Sequence, residues 1–240
     1  MEGLMQGRID SSAVIFGDFK FLDIQKEIIL LQDLLKDFHV FASVSQAIEM
    51  PVILPIVDFI SQSANINIQI ANNRINIVKP ISIDEFGSKV KYDDEEFLCI
   101  VQDVQKRLIK HYDVAGSRIS YIVNFCKDSS SEIEEVKKKL SNDYLYRYSD
   151  SFEWNARNAV KETFTINDKA EEINVITIIN YEPSSMRITI DNNTIDIGGL
   201  IYNLDINTVP TNIQTRINDN FISEFYSYAL ELVRKIEGGY

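Results

Sequence analysis

The sequence predicts an α+β protein built from two duplicated β-α-β(4)-α units, and three observations carry that expectation. First, the pattern I-x-I-x-N-N-x-I-x-I occurs twice, at 68–77 and at 188–197. Isoleucine at every second position is the period of a half-buried strand, and the central Asn pair tolerates the positive φ of a tight turn, so each copy reads as a β-hairpin. Second, the copies stand 120 residues apart in a chain of 240, which points to internal duplication. Third, a helical period follows each hairpin at the same offset, from Asp93 and from Ile213. The repeats are expected at 1–115 and 116–240, packed as one pseudo-symmetric domain.

Taken in order, residues 1–10 carry Gly3 and Gly7 without a period and read as a loose lead, followed by a strand from Ser12 to Phe19. Ile24, Ile28, Leu31, Leu35 and Phe38 fall on one face of a helix, with Gln25, Lys26, Gln32, Asp33 and Lys36 on the other. Residues 38–48 alternate imperfectly, and Pro51 and Pro55 mark an irregular or edge segment before the first hairpin. Asp93 with Glu96 three residues on is a capping-box start, its neighbouring acids suit the positive helix end, and Phe97, Ile100, Val101, Val104 and Leu108 continue the helix to His111.

In the second half a strand is expected over 118–126 and a charged helix over 132–146. A long strand over 152–166 follows, with Phe152, Trp154, Ala156, Val160, Phe164 and Ile166 on one face. Residues 173–181 return, Pro183-Ser184-Ser185 reads as a turn, and the second hairpin begins. Gly198-Gly199 reads as a bulge or corner, and Leu200, Tyr202, Leu204 and Ile206 alternate after it. The last helix is expected to open at Pro210, on the stripe Ile213, Ile217, Phe221, Phe225, Tyr228, Leu232 and Ile236.

Composition sets the class. With 45% hydrophobic and 25% charged residues the chain can bury a large core. Its longest apolar stretch, 48–60, is broken by Glu49, Pro51, Pro55 and Asp58, and no signal-like segment opens it, so a soluble cytoplasmic protein without membrane association is expected. Cys99 and Cys126 are too few for a disulfide framework. A net charge of −12 disfavours nonspecific binding to phosphate backbones or anionic lipid.

The element order resembles the TATA-binding-protein-like fold, in which two such units form one curved antiparallel sheet with helices packed on one face. That resemblance implies that the apolar strand faces lie under the helices, leaving Arg157, Lys161, Thr163, Asn203 and Asp205 on an open concave surface as the candidate binding face. The hairpin before a capped helix, the strand from Arg118 to Asn124, and Leu204-Asp205-Ile206 before the last helix are also similar to a sporadically distributed family of uncharacterised bacterial proteins. This second resemblance brings no known activity.

Chemistry is sparse. None of the dinucleotide-binding, phosphate-loop, zinc-protease or serine-hydrolase motifs occurs, and the chain has only two histidines. Cys126 with His39 or His111 would be a thiolate dyad, but a strand cysteine under a helix layer is ordinarily a small hydrophobe. Asp191, Asp196 and Asp205 are the metal-ligand candidates, against the ordinary reading of solvated acids. Lys137-Lys138-Lys139 and Lys106-Arg107 read as solvated helix faces. A minor-groove saddle needs a basic sheet, whereas this face offers only scattered Arg157, Lys161 and Arg187. The expectation is a non-enzymatic protein-binding or scaffold component, without a cofactor, belonging to a bacterial multi-protein system. Its partner is another protein or a second copy, not duplex DNA through the sheet. The alternative is a metal-dependent hydrolase or nuclease using the three aspartates.

Overall fold

A computed structural model describes residues 6–20, 23–49, 52–80, 93–127, 154–166, 169–190 and 193–237. Nine strands form one antiparallel sheet: β1 (Gln6–Phe16), β2 (Val40–Glu49), β3 (Val52–Ser61), β4 (Ile66–Ala71), β5 (Arg74–Lys79), β6 (Arg118–Lys127), β7 (Trp154–Ile166), β8 (Lys169–Ile190) and β9 (Asn193–Thr208). Helices α1 (Ile24–Leu34), α2 (Asp94–Tyr112) and α3 (Asp219–Glu237) complete the described fold. The spatial order is β2-β3-β4-β5-β1-β6-β9-β8-β7. This is the α+β curved sheet with helices packed on one face.

Period decides the two faces. On β6, Ile119, Tyr121, Val123 and Phe125 are buried against the helices, with Phe97 of α2 and Tyr226 of α3 touching the Tyr121 ring. On β7, Phe164 stacks with Tyr228 and meets Phe221 and Phe225 edge-on. Phe97, Val101, Val104 and Leu108 form the buried stripe of α2. Asp93 caps that helix as the sequence predicts, its Oδ1 accepting from the Glu96 amide at 3.0 Å.

The first hairpin forms with a two-residue loop, but not by the expected backbone device. Positive φ occurs at His39, Asn65 and Asp113 among the described non-glycine residues, not at Asn72 or Asn73. The loop carbonyls instead dock the chain leaving β1, with Phe19 N donating to Asn72 O at 2.8 Å and Gly17 N to Asn73 O at 3.1 Å. In the second hairpin the loop falls one residue earlier in the motif, between Ile190 and Asn193. Ile68 still faces Ile77 and Ile188 faces Ile195, because a slip of two in the pairing preserves side-chain parity.

Several expectations are corrected. Residues 6–10 are strand, paired with β6 from Gln6 opposite Lys127 onward, because β6 runs on to Lys127 beside them. Pro55 lies inside β3, just past the last β3–β4 pair at Ile56, where a missing amide costs no ladder bond to β4. Pro183-Ser184-Ser185 does not turn: β8 runs through it, with Glu182 opposite Gly199 and Met186 opposite Ile197, so three residues bulge across from Gly198. Pairing with the long β9 overrides the local turn signal. The second half therefore shows three strands after β6, not four, among the described residues. The expected helix over 132–146 lies outside them.

The last helix begins at Asp219, not Pro210, so the two helices do not keep the hairpins' offset. Arg216 is the physical reason. Its guanidinium pairs with Glu171 and donates to the carbonyls of Ser117 (2.6 Å), Gln214 (3.1 Å) and Asn212 (3.2 Å), holding 212–217 as an extended crossing. Ile217 bridges Gly116, whose Cβ, if present, would lie 2.7 Å from Ile15 Cγ1. Asn218 then caps α3, its Oδ1 accepting from the Phe221 amide at 3.1 Å.

Candidate functional site

The sheet face opposite the described helices, helix-free among the described residues, is the candidate site, and strand register defines it. One row crosses all nine strands: Phe41, Ile60, Asn67, Val78, Ser12, Ile122, Asp205, Ile176, Ala159. The adjacent row is more polar: Ser43, Asp58, Gln69, Asn76, Val14, Ser120, Asn207, Asn174, Lys161. A shorter row on the other side joins Asp10, Asn124, Asn203, Ile178 and Arg157.

Hydrogen bonds tie these side chains across strands. Ser45 donates to Asp58, Gln69 Nε2 to Asp58 Oδ1 at 3.0 Å, Asn76 Nδ2 to Gln69 Oε1 at 3.0 Å, and Ser12 Oγ to Asn76 Oδ1 at 2.8 Å. That chain spans five strands. Nearer the middle, Asn203 Nδ2 donates to Asn124 Oδ1 at 2.8 Å and Asn124 Nδ2 to Asp10 Oδ1 at 2.7 Å. Ser120 Oγ donates to Asp205 Oδ1 at 2.7 Å. Burial raises the Asp10 carboxyl above its ordinary pKa, against the opposing pull of the Asn124 hydrogen bond and the Arg8 charge. The face is thus a fixed lattice of amides, hydroxyls and carboxylates.

Register puts Arg157, Lys161, Thr163, Asn203 and Asp205 on this one face, but not together. Arg157, Lys161 and Thr163 line the outer strand β7, while Asn203 and Asp205 lie two strands inward on β9 and are held by Asn124 and Ser120. Lys161 pairs with Glu172 at 2.9 Å, both exposed. The residues that sequence reasoning missed, Asp10, Ser12, Asp58, Gln69, Asn76 and Asn124, each alternate with buried neighbours, apolar except for Ser11 between Asp10 and Ser12. That alternation was a usable signal for a face, not for which strands adjoin.

Of the metal candidates, Asp196 and Asp205 are not brought together. Asp191 and the Asp196 side chain lie outside the described residues. Asp196 and Asp205 sit on the same strand β9, nine residues apart, which at strand rise is about 30 Å. Among the described residues no group of three or more His, Cys, Asp or Glu is placed to hold a metal ion. The thiolate dyad is not assembled either. Cys126 shares parity with Asn124 on the helix-free face, where it is buried, not under the helices as expected. His111 closes α2 on the other face and meets Glu27 at 3.0 Å, and His39 precedes β2, five strands from β6. Of the basic runs, Lys137–Lys139 lie outside the described residues, Lys106 donates to Ser223 at 2.6 Å, and Arg107 pairs with Asp103 and Asp37.

Compared with known proteins, the chain matches no family model and no curated protein. Any functional reading therefore rests on its own geometry. No helix among the described residues is long and apolar enough to cross a membrane.

The two ends of the sheet differ. At β7 the outer strand carries Arg157, Lys161 and Glu162. At β2, which among the described residues has β3 as its one neighbour, residues 40–48 carry no charge. Phe41 is 66% exposed and lies directly opposite Ile60, 47% exposed, while Val44 on the other face is 53% exposed. Sheet edges are ordinarily blunted by charge, proline or a bulge. Charge blunts β7, and among the described residues nothing of the kind blunts the central part of β2.

Proposed function

We propose that this chain is a non-enzymatic protein-binding component of a multi-protein system, and that it takes an extended segment of its partner onto β2. The observation that carries the reading is the outer strand, uncharged over 40–48, with Phe41 and Ile60 exposed side by side. A segment added along β2 would satisfy the open backbone groups and lay an apolar side chain on the Phe41–Ile60 pair, which is how strand addition combines affinity with specificity. The polar lattice beyond it supplies a rigid floor. The likeness of the hairpin before a capped helix, the Arg118 to Asn124 strand and Leu204-Asp205-Ile206 to a bacterial family supports a bacterial setting for that system. The hairpins stand in matching places on either side of the central β1–β6 pair, which supports descent of both halves from one β-α-β(4)-α unit.

The test is cross-linking mass spectrometry of the complex recovered from the native host, with wild type and Phe41→Lys, Val44→Lys. Both side chains are largely exposed, so the variant keeps its denaturation midpoint to within about 0.5 kcal/mol. Cross-links from the partner to β2 that vanish in the variant support the reading. A partner retained equally by the variant refutes it. Cross-links from β2 to β2 would make the partner a second copy.

A further inference from the structure

We propose an oxyanion-binding site at one end of the helix-free face, between Arg118 and Asn207, for a carboxylate or phosphate group. Among the described residues of this acidic chain, Arg8 meets Asp94, Arg107 meets Asp103 and Asp37, Arg216 meets Glu171, and Arg234 meets Glu95. Arg118 meets no carboxylate among them. It is half-buried, its Nε is shielded from solvent with no hydrogen-bond partner, and its guanidinium carbon lies 5.0 Å from the centre of the Phe16 ring. Burying a guanidinium nitrogen without an acceptor is costly, and such a group ordinarily marks a missing ion or water.

A second donor points the same way. Asn207 is 1% exposed, and its Oδ1 accepts from Asn174 Nδ2 at 3.2 Å, which fixes the amide so that Nδ2 is the free donor. That Nδ2 has no partner among the described residues. Asn207 lies opposite Ser120, two residues on from Arg118 on the same face of β6. Arg118 and Asn207 are therefore diagonal neighbours, roughly 7 to 8 Å apart at the backbone, within reach of one small group. Two shielded donors at diagonal positions of adjacent strands call for an acceptor, and one of them is a cation.

The surroundings favour charge over a neutral carbonyl. Phe16 pairs directly with Arg118 on one side and with Arg74 on the other, so two arginine positions flank one phenylalanine. Stacking on Phe16 holds Arg118 in place, and a planar guanidinium presents paired donors that match an oxyanion. The site lies on β1, β5, β6 and β9, away from β2, so it stands or falls separately from the strand-addition reading.

The experiment titrates the isotopically labelled full chain with sodium phosphate and, separately, sodium benzoate, against sodium chloride at matched ionic strength. The Arg118 Nε–H and Asn207 side-chain amide resonances are the readout, with Arg118→Gln and Asn207→Leu as variants. Saturable shifts of both groups with either probe are expected, weakened at least ~10-fold in Arg118→Gln, as loss of a charged hydrogen bond implies. A response to phosphate alone names a phosphate ligand, and one to benzoate alone names a carboxylate whose ring lies by Phe16. Shifts no larger than those with chloride overturn the proposal in the wild type, whatever the variants do. So does unchanged affinity in Arg118→Gln.

Discussion

Arg8 on β1 and Asp94 at the start of α2 form an ion pair of 2.5 Å, with side chains only 5% and 12% exposed. Tyr121 donates its hydroxyl to the other Asp94 oxygen at 2.9 Å. Asp94 is thus more than an acid favoured by a helix dipole: it fixes α2 to the centre of the sheet. Removing one partner of a buried pair leaves the other charged in a poor environment, so Asp94→Ala is expected to cost about 3 to 5 kcal/mol. Urea denaturation measures it. A loss under about 1 kcal/mol, the range of exposed pairs, would mean that Arg8 finds water or another acceptor.

Phe225 is wholly buried, with edge-on contacts to Phe164 and Tyr226 at centroid distances of 6.3 and 5.3 Å. Phe225→Ala should therefore cost about 3 to 5 kcal/mol by transfer and cavity effects. Phe221, 5% exposed, lies on the same stripe and should follow. A denaturation midpoint that hardly moves would show that α3 does not seal the β7 end of the sheet.

These two cases mark what was legible in the sequence. The buried stripes of α2 and α3 and the isoleucine alternation of the hairpins are local periodicities, and they translated directly into elements and faces. Pairings across the chain were not legible. Asn124 meets Asp10, 114 residues away, and Arg8 meets Asp94, 86 residues away, and no local pattern encodes either. Local signals also lost where tertiary bonds outweighed them. Pro183 read as a turn until β9 paired on both sides of it, and the apolar stripe read through Ile213 until Arg216 bound two carbonyls of its own segment and that of Ser117. Of the candidate site, the shared face of Arg157, Lys161, Thr163, Asn203 and Asp205 was legible through parity, whereas the orphan donors of Arg118 and Asn207 depend on what each strand adjoins.

The α2–α3 contact contains a buried polar pair that is half satisfied. Tyr226 donates its hydroxyl to Gln105 Oε1 at 3.0 Å, while Gln105 Nε2 has no partner. Tyr226→Phe should cost about 1 to 3 kcal/mol, since it strands the remaining amide oxygen as well. Adding Gln105→Leu to that variant should restore much of the loss, because an apolar pair of similar shape leaves nothing unsatisfied. A double-mutant cycle in denaturant decides the matter. Strictly additive losses would mean that the two side chains do not interact in solution.

Asp10 gives a pH dependence whose sign follows from its environment. Burial raises its carboxyl pKa above the ordinary 3.8, with the Asn124 hydrogen bond and the Arg8 charge opposing the shift without cancelling it. A group whose folded pKa is raised contributes stability that is fully present below the unfolded pKa and is lost as pH rises through the folded one. At neutral pH the ionised Asp10 therefore weighs against the fold. Asp10→Asn keeps an oxygen to accept from Asn124 Nδ2 and carries no charge, so it should be at least as stable as wild type at pH 7. That relative advantage should shrink as pH falls through the folded pKa and level off below about 3.8, where both side chains are neutral in both states. Paired urea titrations at pH 7, 5 and 4 measure the difference. A deficit in Asp10→Asn at pH 7 that narrows on acidification would show that the charge interaction with Arg8 outweighs burial at this position, reversing the sign argued here.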